Sequence, residues 1–378
     1  MRALCLLAVL SLVAPLVAIR LAADPVTVYV GTYTDTTSKG IYRFTVDPKT
    51  GAATAPVLAA ETKNPSFLAL HPSGRFLYAV GEISSFDGKP SGAVSAFAVD
   101  PKTGDLTLLN QQSSEGAGPC HVTVDKGGTH VLVANYGGGT VAVLPIGPDG
   151  KLAPASSVQV HQGSGPNKGR QEKPHAHGIY LSADGRFAFS PDLGADRVFV
   201  YRYDAARGTL EPHGSAALPP GSGPRHLAFD PKETHAYVIN ELLSTITVMT
   251  YDAARGTLTP GESVRTLPAD FAGTSWTAEV AVSPDGRFVY GSNRGHDSLA
   301  VFSRDAATGR LTPAGHVPVG GKTPRHFTFD PTGQLVLAGH QGSDTISVFR
   351  ADAKTGGLAP VGGTLSVGKP VCLLPVRR

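Results

Sequence analysis

NPSFLALHPSGRFLYAVGE, residues 64–82, holds two short alternating segments separated by a PSG turn. Apolar residues at every second position, interrupted by Gly, Pro or Asp, are typical of a β-hairpin. Five further segments align with this one, and the turn residues of all six are Pro72, Lys126, Ala183, Pro231, Pro284 and Pro331. Successive turns are 54, 57, 48, 53 and 47 residues apart, so the chain repeats with a period of about 50 residues.

Each repeat continues with a third strand-like segment, a tight turn and a fourth segment. Four antiparallel strands in a repeat of this length make a β-propeller blade, whereas helical repeats would show a period of 3.6 residues. The section that begins at Val26 supplies strands two to four of a further blade, and PVCLLPV, residues 370–376, supplies its first strand. We therefore predict an all-β fold, a seven-bladed β-propeller with four antiparallel strands per blade. One C-terminal and three N-terminal strands would close the last blade, which removes the free sheet edges.

The N-terminus resembles a secretory signal peptide, because Arg2 precedes an apolar run over residues 3–19 and small residues follow. We predict a signal peptide over residues 1–23, a single propeller domain over residues 24–378 and export to the periplasm or the extracellular space. The processed protein would have no stable membrane association. An uncleaved leader that anchors the protein is the alternative, although the run is short for a membrane span and contains Pro15.

Charge and cysteine content exclude several classes of protein. The net charge is +3, and Arg2 and Arg20 lie in the leader, so the remaining chain is close to neutral and carries no basic stripe for nucleic acid. Outside the leader only Cys120 and Cys372 remain, and we expect two buried free thiols rather than a disulfide framework. The residues do not determine the oligomeric state, and a monomer is favoured.

The mouth is defined here as the end of the channel at which first strands begin and second strands end. Its first ring of positions, just before each first strand, holds Ser66, Cys120, His177, Arg225, Ala278, Arg325 and Val371. Its second ring, after each second strand, holds Thr32, Glu82, Tyr136, Leu193, Glu241, Arg294 and Gln341. A base, a carboxylate and two guanidinium groups on adjacent blades suit catalysis on an anion, and we predict as the catalytic set His177, Arg225, Glu241 and Arg294. The alternative is a polar channel lining with a structural Arg–Glu ion pair.

GPNKGRQEKPHAHG, residues 165–178, is unusually polar and leads directly to His177. We predict that it forms a lid over the mouth and that substrate-binding residues come from the lid and the rings: Asn167, Arg170, Gln171, His175, Glu279 and Arg325. Three histidines follow first-ring positions, and strict alternation turns them away from the channel: His121, His226 and His326. We interpret them as packing or hydrogen-bonding residues rather than metal ligands, and the sequence contains no HExxH or Walker-type motif. No metal and no cofactor are predicted.

Several motifs resemble the lactonase-type seven-bladed propellers: YVGTYT, NPSFLALHPSGRFLYAVGE, RQEKPHAHG, GPRHLAFDP and NRGHDSLAVF. This family includes the propeller form of 6-phosphogluconolactonase and, more distantly, the fungal carboxy-muconate cyclases, and the resemblance covers essentially residues 26–376. It implies a metal-independent enzyme that hydrolyses a lactone ester. Matched by motif, the histidine of HAH, the arginine of PRH, the glutamate of NE and the arginine of NRG are His177, Arg225, Glu241 and Arg294.

Hydrolysis requires an activated water and stabilisation of an oxyanion. Glu241 or His177, whichever has a pKa near neutrality, would accept the proton of water, and Arg225 and Arg294 would hold the oxyanion or a substrate anion. The expected partner is a small sugar lactone, with or without an anionic group. Because sugar phosphates belong to cytosolic metabolism, three interpretations remain: an unphosphorylated lactone outside the cytoplasm, a leader that is not a signal peptide, or a protein that only binds its ligand. Two alternatives are a muconate-cyclase-like lyase or isomerase and a non-catalytic ligand-binding or scaffold propeller.

Overall fold

Seven antiparallel sheets surround a central channel in the computed structural model, which describes residues 25–377. Six sheets have four strands and one has five, which confirms the predicted seven-bladed propeller. The predicted signal peptide, residues 1–23, lies outside the described residues. No helix among the described residues is long and apolar enough to cross a membrane.

The blades are numbered 1 to 6 along the chain, and blade 7 closes the ring. The chain begins with the three outer strands of blade 7, β1 (Val26–Thr32), β2 (Gly40–Val46) and β3 (Val57–Glu61). Blade 1 has β4 (Leu68–Leu70), β5 (Phe76–Gly81), β6 (Ala93–Val99) and β7 (Leu106–Ser113). Blade 2 has β8 (Pro119–Val124), β9 (His130–Asn135), β10 (Thr140–Pro145) and β11 (Ser157–Val160). Blade 3 has β12 (Tyr180–Leu181), β13 (Phe187–Asp192), β14 (Arg197–Asp204) and β15 (Thr209–Ala217).

The second half of the ring follows the same plan. Blade 4 has β16 (Pro224–Phe229), β17 (His235–Asn240), β18 (Thr245–Asp252) and β19 (Thr257–Arg265). Blade 5 has β20 (Trp276–Val282), β21 (Phe288–Arg294), β22 (Ser298–Arg304) and β23 (Leu311–Pro318). Blade 6 has β24 (Pro324–Phe329), β25 (Leu335–His340), β26 (Thr345–Ala351), β27 (Leu358–Pro360) and the short fifth strand β28 (Leu365–Ser366). The last strand is β29 (Pro370–Val376).

The two ends of the chain meet in blade 7. β29 pairs antiparallel with β1, with Leu373 opposite Val30 and Cys372 opposite Gly31, and the sheet order is β29-β1-β2-β3. This pairing confirms the predicted closure by one C-terminal and three N-terminal strands. Cys372 and Cys120 are both buried and free, as expected.

Apolar side chains of neighbouring blades pack against each other between the sheets. Between blades 1 and 2, for example, Tyr78 and Val80 of β5 contact the same buried cluster as Val131 and Val133 of β9. Burying a side chain of this size contributes about 1.5–3 kcal/mol to folding. Second strands are consequently buried along their whole length, as in β5 and β9, and their ends at the mouth are rigidly placed.

Buried tyrosines also connect several blades with the next one. The hydroxyl of Tyr78 donates to the carbonyl of Gly150 at 3.0 Å, and that of Tyr290 donates to Gly356 at 2.8 Å. Both glycines have positive φ, 81° and 73°, which glycine adopts without the strain of a Cβ. A Cβ on Gly150 would also lie 2.3 Å from the ring of Phe76. These turns therefore require glycine for both the backbone and the packing.

Inner strands begin with a β-bulge in blades 2, 4 and 6. In β16, Pro224 pairs with Asn240 and His226 pairs with Ile239, so Arg225 is the extra residue of the bulge. A bulge disrupts the alternation of side chains between the two faces of a strand. Two consecutive residues, an arginine and a histidine, can therefore contact the channel.

The predicted outward orientation of His121, His226 and His326 is wrong for this reason. The ring centroid of His226 lies 5.5 Å from that of His121, although the two residues belong to non-adjacent blades. Phe67 contacts the rings of all three histidines, at centroid distances of 4.3 to 5.8 Å. The three histidines thus meet inside the channel, below the mouth.

Candidate active site

Three of the four predicted catalytic residues are in direct contact at the mouth. Arg225 is the bulge residue of β16, Glu241 directly follows β17, and Arg294 ends β21. Because first strands begin where second strands end, blades 4 and 5 bring these three side chains to the same side of the channel. The fourth predicted residue, His177, lies with its ring 5.3 Å from that of His226, and no hydrogen bond joins it to Glu241 in the described part of the chain.

Glu241 is only 4% exposed and contacts three guanidinium groups. Its Oε1 accepts a hydrogen bond from Nη2 of Arg170 at 2.5 Å. Its Oε2 lies 2.9 Å from Nη2 of Arg294 and 3.4 Å from Nε of Arg225, and this last contact is an ion pair without hydrogen-bond geometry. A buried carboxylate with three cationic neighbours leaves an excess of positive charge at the mouth.

The electrostatic balance at Glu241 determines its protonation state. Burial alone would raise the pKa of Glu241, but Arg294, Arg225 and Arg170 outweigh burial and lower the pKa to about 2. Burial lowers the pKa of Arg294 to about 10 and also lowers that of Arg225, so both arginines stay protonated at neutral pH. The carboxylate is therefore ionised at neutral pH.

Both arginines have other contacts that orient them. Nη2 of Arg294 donates to the carbonyl of Thr277 at 2.8 Å, and Nη1 of Arg225 donates to that of Ala278 at 2.5 Å. The Nε atoms of both arginines are buried and have no hydrogen-bond partner among residues 25–377. A buried donor without a partner is costly, and such donors are suited to an oxygen atom of a ligand.

His177 is buried at the start of blade 3, where the inner strand β12 is reduced to two residues. Its backbone N–H donates to the carbonyl of Pro191 at 2.9 Å, and its Nδ1 lies 3.6 Å from Sγ of Cys120. Burial, followed by the positive charge of Arg225, lowers the pKa of His177 well below its usual range. His177 is therefore neutral at neutral pH, and neither it nor Glu241 has the near-neutral pKa that was expected.

One side chain of the polar segment before His177, that of Arg170, contacts both neighbouring blades at the mouth. Arg170 reaches Glu241 of blade 4 and lies 3.4 Å from the hydroxyl of Tyr136 in blade 2. Asn167 is exposed, and its carbonyl accepts hydrogen bonds from the amides of Arg170 and Gln171. Asn167 thus shapes the loop that carries Arg170.

Two other predicted lid residues have structural contacts. Gln171 is fully buried, and its amide group donates to the carbonyl of Leu193 and to Asp196. His175 stacks on the ring of Tyr136 at 4.4 Å, and its Nδ1 contacts the carbonyl of the same tyrosine. The side chains of Gln171 and His175 therefore fix the polar segment to the neighbouring chain.

Glu279, predicted to bind substrate, lies under the mouth between two channel histidines. Its Oε2 is 2.9 Å from Nδ1 of His226 and 3.4 Å from Nε2 of His326. Nη1 of Arg225 is 3.3 Å from Nε2 of His226, so Glu279 is connected to the mouth through this histidine. Burial raises the pKa of Glu279. In the part of the chain that the structure describes, no group of His, Cys, Asp and Glu is arranged to bind a metal ion.

A second polar group occupies the opposite side of the mouth, in blades 6, 7 and 1. Arg325 lies over the ring of Tyr33 at 5.5 Å, and the hydroxyl of Tyr33 contacts both carboxylate oxygens of Glu82 at 3.0 and 3.1 Å. Arg325 was predicted to bind substrate, whereas Tyr33 was missed. A register shift after Gly31 places Tyr33, not Thr32, beside Glu82. Tyr33 lies in the YVGTYT motif that indicates the family, so the motif could have identified it. The alignment of repeats instead places Thr32 at this position of the ring.

Residues 27–375 match the family described as Lactonase, 7-bladed beta-propeller. A 6-phosphogluconolactonase from Bacillus subtilis (strain 168) is 40% identical over 302 residues, which cover 80% of this chain and 84% of that protein. A 6-phosphogluconolactonase from Formosa agariphila is 34% identical over 308 residues, which cover 80% of this chain and 86% of that protein. The solved structure of a periplasmic gluconolactonase from Pseudomonas aeruginosa is 35% identical with a TM-score of 0.88, and covers 94% of this chain and 99% of that one.

Proposed function

Because the chain belongs to the seven-bladed β-propeller lactonases, we propose that it hydrolyses the ester of a sugar lactone. The 6-phosphogluconolactonase and gluconolactonase relatives support this class of substrate. Water attacks the ester carbonyl, the carbonyl oxygen becomes an oxyanion, and the ring C–O bond then breaks to give the open hydroxy acid. The mouth must therefore stabilise an oxyanion and accept the proton of water.

The Nε atoms of Arg225 and Arg294, which make no hydrogen bond within residues 25–377, are the observation that supports this proposal best. Both guanidinium groups contact the same oxygen of Glu241, so their donors lie close together. Two fixed cationic donors in a buried site stabilise a developing negative charge without reorganisation. In this proposal Arg225 and Arg294 bind the oxyanion, and Glu241 holds them in place.

His177 is the proposed acceptor of the water proton. It is neutral at neutral pH, and its Nε2 makes no hydrogen bond to any residue in the described range. Glu241 is also in the form that can accept a proton, but its oxygens already contact three guanidinium groups. Protonated His177 then passes this proton to the leaving ring oxygen, and Glu241, which carries no proton, orients the water.

Substrate binding would make both groups better bases. Arg294 and Arg225 lower the pKa of Glu241, and Arg225 also lowers that of His177. An anion or oxyanion bound to these arginines compensates their charge, which raises both pKa values toward neutrality. The enzyme would thus be poised for proton transfer when the site is occupied.

Export is part of the proposal, and the relative named a periplasmic gluconolactonase supports it. A lactone outside the cytoplasm that carries hydroxyl groups and no phosphate is then the simplest substrate. Its open-chain product would be a sugar acid. The predicted leader, residues 1–23, would direct the protein there.

Proton release from δ-gluconolactone and from 6-phosphogluconolactone tests the proposal. Both lactones hydrolyse spontaneously, so the rate in excess of a His177→Asn/Glu241→Gln double variant is the readout. An excess that the double variant loses supports a hydrolase with its site at this mouth. Coincident rates for both proteins on both substrates would refute hydrolysis of these lactones and favour the ligand-binding alternative.

A further inference from the structure

Glu279 is a buried carboxylate below the mouth, and the proposed chemistry gives it no role. Ala278 and Glu279 lie at a register shift of β20, outside its regular pairing with β21. Arg225 and His226 follow each other at the bulge of β16. The two irregular segments are in contact, since Nη1 of Arg225 donates to the carbonyl of Ala278 at 2.5 Å. One residue further along each strand, Nδ1 of His226 lies 2.9 Å from Oε2 of Glu279.

The hydrogen atoms between these side chains have one consistent arrangement. A guanidinium group can only donate, so Nε2 of His226, 3.3 Å from Nη1 of Arg225, is the acceptor of that contact. His226 is neutral, because burial and the charge of Arg225 lower its pKa well below the usual range. A neutral imidazole has one donor and one acceptor, so its proton is on Nδ1, which donates to Oε2 of Glu279. A chain of hydrogen bonds therefore runs from Arg225 through His226 to Glu279.

Glu279 is fixed as the acceptor at the end of this chain. Its Oε1 accepts the amide of Val280 at 3.0 Å, and its own amide donates to Oγ of Ser292 at 2.9 Å. Its Oε2 also lies 3.4 Å from Nε2 of His326. Nδ1 of His326 accepts the amide of Leu373 at 3.2 Å, so the proton of this neutral histidine is on Nε2, on the side of Glu279. Both oxygens of Glu279 therefore face N–H groups, which suits a carboxylate and not an amide.

Arg225 is only 3% exposed, and these contacts restrict where its guanidinium group points. Its Nη1 has two acceptors, the carbonyl of Ala278 and Nε2 of His226. Its Nε lies 3.4 Å from Oε2 of Glu241 without hydrogen-bond geometry and makes no hydrogen bond within residues 25–377. Because the guanidinium group is planar, holding Nη1 below the mouth also restricts the direction of the Nε–H bond. The chain thus orients the donor that the proposed reaction needs.

We propose that Glu279 and His226 are positioning residues that hold Arg225 in the orientation in which its Nε donor meets the oxyanion of the opening lactone. Neither residue contacts the substrate, and both act through Arg225. Preorganised donors of this kind stabilise an oxyanion only while their direction is maintained. The inference rests on the proposed lactonase function, which assigns the oxyanion to Arg225. It extends the site from the mouth to two residues of the channel.

Glu279→Gln tests the end of the chain. The NH2 group of the glutamine would face the amide of Val280 or, in the other orientation, donate to Nδ1 of His226 and turn an Nε2–H group toward Arg225. Both orientations place two donors against each other, so Arg225 should lose its fixed direction. We expect kcat to fall about tenfold or more while KM changes by less than about threefold, because the oxyanion exists only after water has attacked. Proton release from δ-gluconolactone, corrected for spontaneous hydrolysis, gives both constants.

Glu233→Gln is the matched control for this substitution. The carboxylate of Glu233 also accepts a backbone amide of the neighbouring blade, that of Ala183 at 2.8 and 2.9 Å. Glu233 lies in the turn between β16 and β17, at the end of blade 4 opposite the mouth. Both kinetic constants should be unchanged in this variant.

Two variants of His226 separate positioning from packing. His226→Gln offers Oε1 to Arg225 as an acceptor, whereas His226→Phe keeps a ring against Phe67 and His121 but accepts no hydrogen bond. We expect kcat to fall by less than about threefold in His226→Gln and by about tenfold or more in His226→Phe. The opposite order, or equal rates, would show a packing role and overturn the proposal. This comparison also decides between the two roles if Glu279→Gln is unfolded by circular dichroism.

The tautomer of His226 can be measured without turnover. NMR of the full chain labelled with 15N-histidine shows which ring nitrogen carries the proton, and the signal missing from His226→Gln identifies this residue. We expect the proton on Nδ1 at pH 7, and a proton on Nε2 or on both nitrogens would overturn the chain of hydrogen bonds. A proton on Nδ1 without lactone hydrolysis by the wild-type protein refutes the proposed function and not the chain. Hydrolysis that Glu279→Gln leaves unchanged refutes the positioning role alone.

Discussion

Arg294 and Glu241 are joined by an ion pair of 2.9 Å between Nη2 and Oε2, and the second arginine, Arg225, approaches the same oxygen to 3.4 Å. Both side chains of the first pair are largely buried, with exposed fractions of 12% and 5%. Partners in a buried ion pair depend on each other, because removal of one leaves an uncompensated charge in a medium of low dielectric constant. Under the proposed function, stability and catalysis therefore depend on the same residues.

Glu241→Gln should destabilise the protein as well as inactivate it. The variant leaves Arg170, Arg225 and Arg294 without their shared counterion, and the loss of one partner of a buried pair costs about 3–5 kcal/mol. Urea unfolding at pH 7 measures the free energy of unfolding. Glu262→Gln is the control, because Glu262 is 61% exposed and its ion pair with Arg310 is long, at 4.0 Å. Equal stabilities of the two variants would contradict a central role for Glu241.

Arg294→Met should lower kcat more than it raises KM. Under the proposed mechanism its Nε donor is used by the oxyanion, which exists only after water has attacked, and losing one such donor costs about 2.7–4 kcal/mol, or 10²–10³ in kcat. Proton release from δ-gluconolactone, corrected for spontaneous hydrolysis, gives both constants. An increase in KM alone would instead show that Arg294 only binds the ground state.

Arg170→Ala tests the electrostatic influence of the lid on Glu241. Arg170 is among the three cations that lower the pKa of Glu241 to about 2, so its removal should raise this pKa. A glutamate with a higher pKa becomes protonated at a higher pH. The acid limb of the kcat/KM profile should therefore move to higher pH in the variant. Arg207→Ala, at an exposed turn, is the control. If the acid limb is unchanged in Arg170→Ala, Arg170 does not influence the protonation of Glu241.

Much of the architecture could be predicted because its determinants are local. Period-two alternation and turn residues identify each hairpin, and the missing first strand in the N-terminal repeat indicates closure by β29. The contacts between Arg225, Glu241 and Arg294 could also be predicted, because aligned repeats place these residues at the same end of adjacent blades. No structural knowledge beyond strand direction was needed for these three residues.

The errors in the site arise from two features that a repeat alignment does not contain. The bulges at the inner strands turn His226 into the channel beside Arg225, and a register shift brings Tyr33 rather than Thr32 to Glu82. The second feature is the polar segment over residues 165–178, which occurs in one blade only, so nothing in the other repeats indicates that Arg170 reaches Glu241. Both depend on backbone irregularities and long-range contacts rather than on residue periodicity.

The channel histidines should make the fold sensitive to acid. Burial is the main cause that lowers the pKa of His121 and His226 well below the usual range and that of His326 to about 4. Neighbouring positive charges lower these pKa values further. The unfolded chain, with histidine pKa values near 6.5, then binds more protons than the folded chain between about pH 6.5 and 4. Stability therefore falls as the pH is lowered through this window, by up to about 1.4 kcal/mol per pH unit for each histidine.

His121→Phe should flatten this pH dependence. The phenyl ring keeps the contacts with Phe67 and Tyr180, at 4.3 and 4.6 Å, but does not titrate, and the long hydrogen bond from the amide of Ile179 is lost at every pH. The slope of the unfolding free energy between pH 7 and pH 5 is therefore the readout, rather than its absolute value. In urea unfolding experiments we expect the slope to decrease by the contribution of one histidine, which is up to about 1.4 kcal/mol per pH unit. Identical slopes for the variant and the wild-type protein would show that His121 is already able to accept a proton in the folded channel.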